Sequence, residues 1–544
     1  MKRREISGLV LSAFAGSALI AKRAQAQSCT PPCYPITLAE SAASATIVDS
    51  TRRPGDWRRY GADPTGATDS KQAIQDACNA NKLAFDESGG NYVISGTITV
   101  PSGVTVRGTG SGTVITCANG GISLLFTTGA TGVTVEKIKF SVTGTSTAAY
   151  TAPVEFYNST HCSCFECEMS GCNWAGVLMH TSSYCTVDKC YFHNFQGSVD
   201  DSADVAIYGN SSYNTVTSNR CYGGNLHGIM IEDPYTGTVP SRNVIANNRI
   251  GQHTAYGILV YMPDAGDSFN QVTGNFIENI QGTVISGQSG AGIYVVGAGA
   301  GGTEVSNNTI RNCCIQTSGR TLAPAGIGIA GITAGAAPVS VTGNIVAAMP
   351  TYDGILVVSS SGPINVCGNS VSLPSGNSGG TPIRVENSSN VNVNANSAAQ
   401  PAHTNGRCIF VFANGVAVSQ VTVSGNTCSG GNYSQIDFDR GQSGGSFTGI
   451  VCSGNNCIGN GAVGNCIHIA WADRGVVVGN TCSANSQPAF GMTGSTNCRI
   501  AANVFGTTGT SGAACSGTCT GSFWDKSNFV TGTLTNTATG LTVE

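Results

Sequence analysis

Between positions 200 and 233 the chain gathers Asp200, Asp201, Asp204, His227, Glu232 and Asp233, five carboxylates and one imidazole. Two carboxylates facing each other can act as acid and as base or nucleophile across a glycosidic bond. An imidazole carries protons near neutral pH. Asp also favours turns for its own hydrogen-bonding reasons, so any single member reads equally as a solvated turn residue.

Strand alternation sorts the neighbours of this cluster. If Ile229 and Ile231 face inward, Met230 and Glu232 face solvent. The same register turns outward Glu155 and Tyr157, Leu178 and His180, Ala206 and Tyr208, Leu259 and Tyr261, and Tyr294. One outward column therefore reads Tyr157, His180, Tyr208, Glu232, Tyr261. Aromatic faces stack on sugar rings, and carboxylates or His supply proton transfer. The expected catalytic group is Asp200, Asp201, Asp204, His227 and Glu232, with Asp201 and Glu232 as the carboxylate pair. Tyr157, His180, Tyr208, Arg220, Asp233 and Tyr261 are expected to hold the substrate. Abstracting a proton beside a uronate carboxylate needs a cation or metal for the developing enolate. The column lacks Lys and Arg, and no Asp-rich calcium loop is evident; this favours hydrolysis over a lyase or epimerase reaction. A non-catalytic polysaccharide-binding solenoid is the alternative from another class. A second outward patch comprises Arg384, Glu386, Phe410, Phe412, Asp437, Asp439 and His468, with the two Phe expected to pack under a loop.

The elements that position these residues are read from repeats. Asn219, Asn248, Asn275, Asn308 and Asn344 recur at spacings of 29, 27, 33 and 36 residues, and the phrase continues through Asn369, Asn426, Asn455 and Asn480. A period of this size marks a stacked repeat architecture. Short alternating strands interleave with it: Gly228-Ile229-Met230-Ile231, Gly257-Ile258-Leu259-Val260, Gly292-Ile293-Tyr294-Val295 and Gly354-Ile355-Leu356-Val357. One such unit cannot close a core, whereas a stack buries a continuous one. The asparagines suit left-handed turn positions and a side-chain ladder along the axis. The expected fold is all-β, a single right-handed parallel β-helix. Asp69 is expected to cap a short helix over Ala73, Ile74, Ala77 and Cys78 that covers the first coil. The expected organisation is a signal over 1–26, an extension over 27–55, the solenoid over 56–505 and a capping segment over 506–544.

Composition sets the boundaries. Of 544 residues, 73 are glycine and only 10% are charged, which with 40% hydrophobic content argues against disorder. Lys2-Arg3-Arg4, an apolar run to Ala21 and Ala24-Gln25-Ala26 form an export signal, of twin-arginine or general type. Its loss removes five basic residues and one acid and takes the net charge from −4 to −8. That excludes nucleic acid as a natural partner and gives an acidic polysaccharide no long-range attraction. No span beyond the signal is apolar enough for a bilayer. The 23 cysteines fall largely at repeat positions: Cys428, Cys457 and Cys482 each follow a ladder asparagine by two. They are expected as a ladder of buried thiols, with Cys29 and Cys33 as the one disulfide. The run Cys162, Cys164, Cys167, Cys172 lacks paired zinc spacing, so no metal and no cofactor is expected.

Tyr60-Gly61-Ala62-Asp63-Pro64-Thr65-Gly66, the helix after it, and Tyr92–Ser95 through Val104–Gly108 resemble the opening of pectate-lyase-like β-helix proteins, a group that includes rhamnogalacturonases, epimerases and phage tailspikes. The resemblance implies carbohydrate as substrate class and does not choose a reaction. Asp200-Asp201 followed by His227-Gly228 is similar to elements of polygalacturonases, but Leu226 replaces the first glycine of their Gly-His-Gly. His227–Glu232 occupies a strand like one in mannuronan epimerases, with Met230 and Glu232 where those carry Asp and His.

Overall fold

The computed structural model describes residues 33–544 except 197–201, 225, 234–236, 282–289, 316–323, 348, 351, 376, 378, 401–405, 442–443, 460–463, 485–486 and 508–510. The expected export signal and Asp200 and Asp201 therefore lie outside the described residues.

Among the described residues most coils give one strand to a front sheet of 17 parallel strands and two short strands to a back sheet of 33, and Ala417–Ser419, Ser446–Thr448 and Ala472–Asp473 form a third, small sheet. β-branched side chains suit this pleated, half-buried surface. They stack in unbroken inward columns, one running from Val154 through Val205, Ile258, Ile327 and Ile409 to Phe490. All six are fully buried. The coils continue to the end of the chain, where Thr539–Val543 pairs with Thr518–Trp524.

Between the two back strands of a coil the chain turns sharply, and the asparagine phrase is what closes the turn. Asn219, Asn248, Asn275, Asn308, Asn344 and their successors to Asn503 are buried and hydrogen-bonded in sequence. The Asn344 Oδ1 accepts from the Asn308 backbone N–H (2.9 Å) and Nδ2 (3.0 Å), while its own Nδ2 donates to the Val305 carbonyl and to Asn369. The expectation that these asparagines themselves take the left-handed conformation needs correcting. That conformation belongs to the residue before each one: Asn247 and Asn307 at φ 56°, Gly343 at 64°. Where the phrase reads Asn-Asn, the first bends the chain and the second ties the coils. A second, shorter ladder runs through Asn214, Asn243 and Asn270.

The cysteines follow the same stacking. Cys428, Cys457 and Cys482 are register partners. Cys33 is disulfide-bonded, and the other 21 described cysteines are free thiols, all buried but Cys367. The helix Lys71–Ala80 covers the first coil with Ala73, Ile74, Ala77 and Cys78 buried as expected. Its cap is Ser70, and Asp69 instead accepts from the Lys71 N–H one position earlier. Residues 34–40 are clamped onto this end by a fully buried Arg59–Glu40 pair at 2.6 Å, to which Tyr60 donates at 2.8 Å. No helix among the described residues is long and apolar enough to cross a membrane.

Asn344→Ala orphans buried donors and acceptors on both neighbouring coils, each worth about 1–3 kcal/mol, so denaturant unfolding should show a loss of about 2–4 kcal/mol. Asn365→Ala, one coil further on and half-exposed on the outside of the back sheet, should stay within about 0.5 kcal/mol of the parent protein.

Candidate functional site

The outward side of the front sheet carries three columns. The edge column holds the expected series: Tyr157, His180, Tyr208, Glu232 and Tyr261 are direct register partners on successive coils. His180 stands edge-on to Tyr157 and Tyr208, with ring centres 4.9 and 5.5 Å away. Its Nδ1 lies 3.7 Å from Glu155, a carboxylate that also accepts from the Ser123 hydroxyl. Tyr150 folds over this end from the preceding turn, packs on Trp174 at 5.1 Å, and accepts from the Tyr208 hydroxyl at 2.6 Å.

The middle column is not the solvent-facing surface that alternation implied. Leu178, Ala206, Met230, Leu259 and Tyr294 do point outward, yet all are buried, in a second apolar cluster with Trp174, Leu226 and Tyr256. Tyr208 is 2% and Glu232 6% exposed, whereas Tyr261 at 37% is open. Asp233 is buried at the strand end and accepts from the Thr238 hydroxyl at 2.5 Å.

Three expected members leave the group. Asp204 points into the solenoid core and pairs with His253 at 3.0 Å, both fully buried. The reason is local: Asp204 occupies the position filled by Gly176, Gly228, Gly257 and Gly292 on neighbouring coils, where the backbone bends and simple alternation fails. Space for the pair comes from Gly224, where a Cβ would lie 2.5 Å from His253 and 2.6 Å from Asp204. His227 is on the outward side but 1% exposed, stacked on Tyr256 at 5.2 Å, and neither ring nitrogen has a hydrogen-bond partner among the described residues. Burial pushes its pKa down to about 3, aided by nearby His253, so at neutral pH it is an uncharged imidazole with a single N–H. Arg220 sits on the back sheet, its guanidinium over Tyr191 and Tyr222.

From the strand Asp353–Val358 onward the outward face changes character. Asp353 begins a strand where the preceding coils carry Ala291 and Ala325. Its carboxyl lies 3.8 Å from Arg384 and accepts from the Thr381 N–H at 2.7 Å. Burial, opposed by Arg384, lifts its pKa to about 6. The same guanidinium bonds Glu386 at 2.7 Å. One cation thus spans two carboxyl groups, which places them within the ~10 Å that two-carboxylate hydrolysis uses. On the next coil Phe410 and Phe412, the register partners of Arg384 and Glu386, stack on each other with ring centres 5.1 Å apart, and Arg407 lies over Phe410 at 4.3 Å, a cationic cover rather than only an apolar one. On the next coils Asp437 is held between Arg407 and His468, the latter at 2.8 Å. Burial works against the charge on both members; the pairing wins, lowering the Asp437 pKa and raising that of His468. Alternation finds most of this patch. It misses Asp353, whose signal is its place directly before a Gly-Ile phrase, and Arg407, which lies in a turn. Among the described residues no group of His, Cys, Asp and Glu is arranged to hold a metal ion.

The neutral His227 has a consequence for acid stability. Its pKa is about 6.5 unfolded and about 3 folded, so its contribution is intact above the unfolded value and lost as pH falls toward the folded one. His227→Phe keeps the stack on Tyr256 and removes the titration. Its unfolding free energy should exceed that of the parent by a margin that grows from pH 6.5 down to pH 3.

Residues 120–310 match the family model for the right handed beta helix region. No curated protein matches the sequence. The solved structure of PfbA, a surface adhesin of Streptococcus pneumoniae, is similar at 13% identity over 73% of this chain and 93% of its own, with a TM-score of 0.42. The tailspike protein of E. coli bacteriophage HK620 is similar at 14% identity over 90% of this chain and 79% of its own, at 0.43. An exopolygalacturonase from Thermotoga maritima is similar at 11% identity over 71% and 91%, at 0.38. Strands on both sides of the matched segment pair in parallel with it, and the described chain folds as a right-handed parallel β-helix.

Proposed function

We propose that the chain is an exported polysaccharide hydrolase whose substrate lies along the outward side of the front sheet. The observation that carries this reading is the Asp353–Arg384–Glu386 set. Asp353, lifted to about 6 by burial, is a carboxylic acid able to protonate a leaving oxygen near neutral pH. Glu386, bonded to Arg384, is the partner carboxylate. Phe410 and Phe412 supply the apolar wall beside them, and Tyr157, His180 and Tyr261 are ring-bearing contacts further along the same face. A second reading keeps Asp201 and Glu232 as the carboxylate pair; what favours it is the place of Glu232 directly between Tyr208 and Tyr261 in the edge column.

The experiment is a polysaccharide panel read for reducing ends and ultraviolet absorbance together. The proposal expects reducing ends without absorbance, a rate that falls as pH rises through about 6, and a loss of about 10²–10⁴-fold in Asp353→Asn and in Glu386→Gln. Activity lost only in Glu232→Gln would transfer the chemistry to the edge column. Rising absorbance means a new double bond and a lyase.

A further inference from the structure

The back sheet carries a surface that the front-face reading does not use. On its second strands the outward residues form a continuous strip: Tyr191, Arg220, Arg249 and Phe276 in one column, Tyr222, Glu278 and Arg311 in the next. The Arg220 guanidinium lies 5.0 Å from the Tyr191 ring and 5.1 Å from Tyr222. Arg249 follows at 5.7 Å from Tyr222 and 5.4 Å from Phe276, and Arg311 at 4.7 Å from Phe276. Rings beside each guanidinium narrow the motion of its side chain, so the donor fork is held in place before any ligand arrives. Glu278 takes up part of this capacity, accepting from Tyr222, Arg249 and Arg311 at 2.9, 3.2 and 2.8 Å. Arg220 has no carboxylate partner among the described residues. The arginines are open: the Arg249 and Arg311 side chains are 60% and 52% exposed.

Charge gives the strip its meaning. With Lys139 and Glu168 at its start, it holds four cations against two carboxylates on a chain whose net charge is −4. Arg220 and Arg249 stand on successive coils, about 4.8 Å apart along the axis, and Arg311 two coils further on, a linear array rather than a pocket. We infer that this strip binds a carboxylate-bearing polysaccharide laid along the solenoid axis, its uronate groups taken by the Arg220, Arg249 and Arg311 forks and its ring faces by Phe276 and the tyrosines. Guanidinium forks match carboxylates in a bidentate manner. The negative charge elsewhere on the molecule weakens long-range attraction, so recognition depends on contact at the strip. The inference stands apart from the front face: the strip holds a polymer whether or not Asp353 cuts one.

The test is binding of polygalacturonate at low salt, beside a neutral glucan of similar length and a single-stranded DNA, in an Asp353→Asn background so that nothing is cleaved. Arg220→Ala, Arg249→Ala and Arg311→Ala combined should weaken polygalacturonate binding by about tenfold or more and flatten its salt dependence, with thermal unfolding showing that the fold persists. The matching triple Lys variant keeps the charge but loses the stacked fork, and should recover only part of the affinity. Undiminished binding by the Ala variant, full recovery by the Lys variant, equal binding of the neutral glucan, or tighter binding of DNA would each overturn the proposal.

Discussion

The structure depends on one constraint: from Asn219 to Asn503 the turn of each coil contains a buried amide that must find partners in the coils above and below. The asparagine ladder meets that demand. From Asn248 on, each Oδ1 receives two donors from the preceding coil, and each Nδ2 as far as Asn503 reaches a carbonyl and the next amide. A slip of one residue between coils would orphan these groups along the axis, at a cost far above any side-chain contact on the surface. Register is therefore rigid, and columns of outward side chains remain columns over many coils.

That rigidity is what makes an extended site possible on so little sequence. Side chains stand on adjacent strands at a fixed spacing, so Tyr157, His180, Tyr208, Glu232 and Tyr261 form a line without any loop having to bring them together. The line still has a gradient. Over the middle coils the outward face is sealed by Leu, Met and Trp side chains. From Asp353 onward it carries charges, and these charges are constrained by burial and by each other: Arg384 between two carboxyl groups, Asp437 between Arg407 and His468. Perturbed titration gathers where desolvation and partner charges act together.

Much of this was legible in the sequence. The asparagine spacing, the alternating Gly-Ile phrases and the cysteines two residues after the ladder led to the solenoid, its register and the edge column. What alternation could not supply was the inside of a bend. Asp204 follows Ala203 in a strand, but its coil-to-coil neighbours are glycines, and there the side chain turns toward His253. Nor does a sequence record what lies over a face. Met230 and Leu259 point outward as read, yet a second layer of packing buries them. Arg220 stands close to the acids in sequence and on another sheet in space. The raised pKa of Asp353 comes from its burial, which outweighs the opposing pull of Arg384 one coil away, and no local pattern contains either.

The central claim is that burial keeps the Asp353 carboxyl on the front face protonated into the near-neutral range. Titration of the aspartate carboxyl carbons by nuclear magnetic resonance, comparing the parent protein with Asp353→Asn, tests it directly. The account predicts a carboxyl with a midpoint near 6 that disappears in the variant. A spectrum in which every aspartate has titrated by about pH 4.5, within the ordinary carboxylate range, would contradict it and remove the acid from the proposed pair.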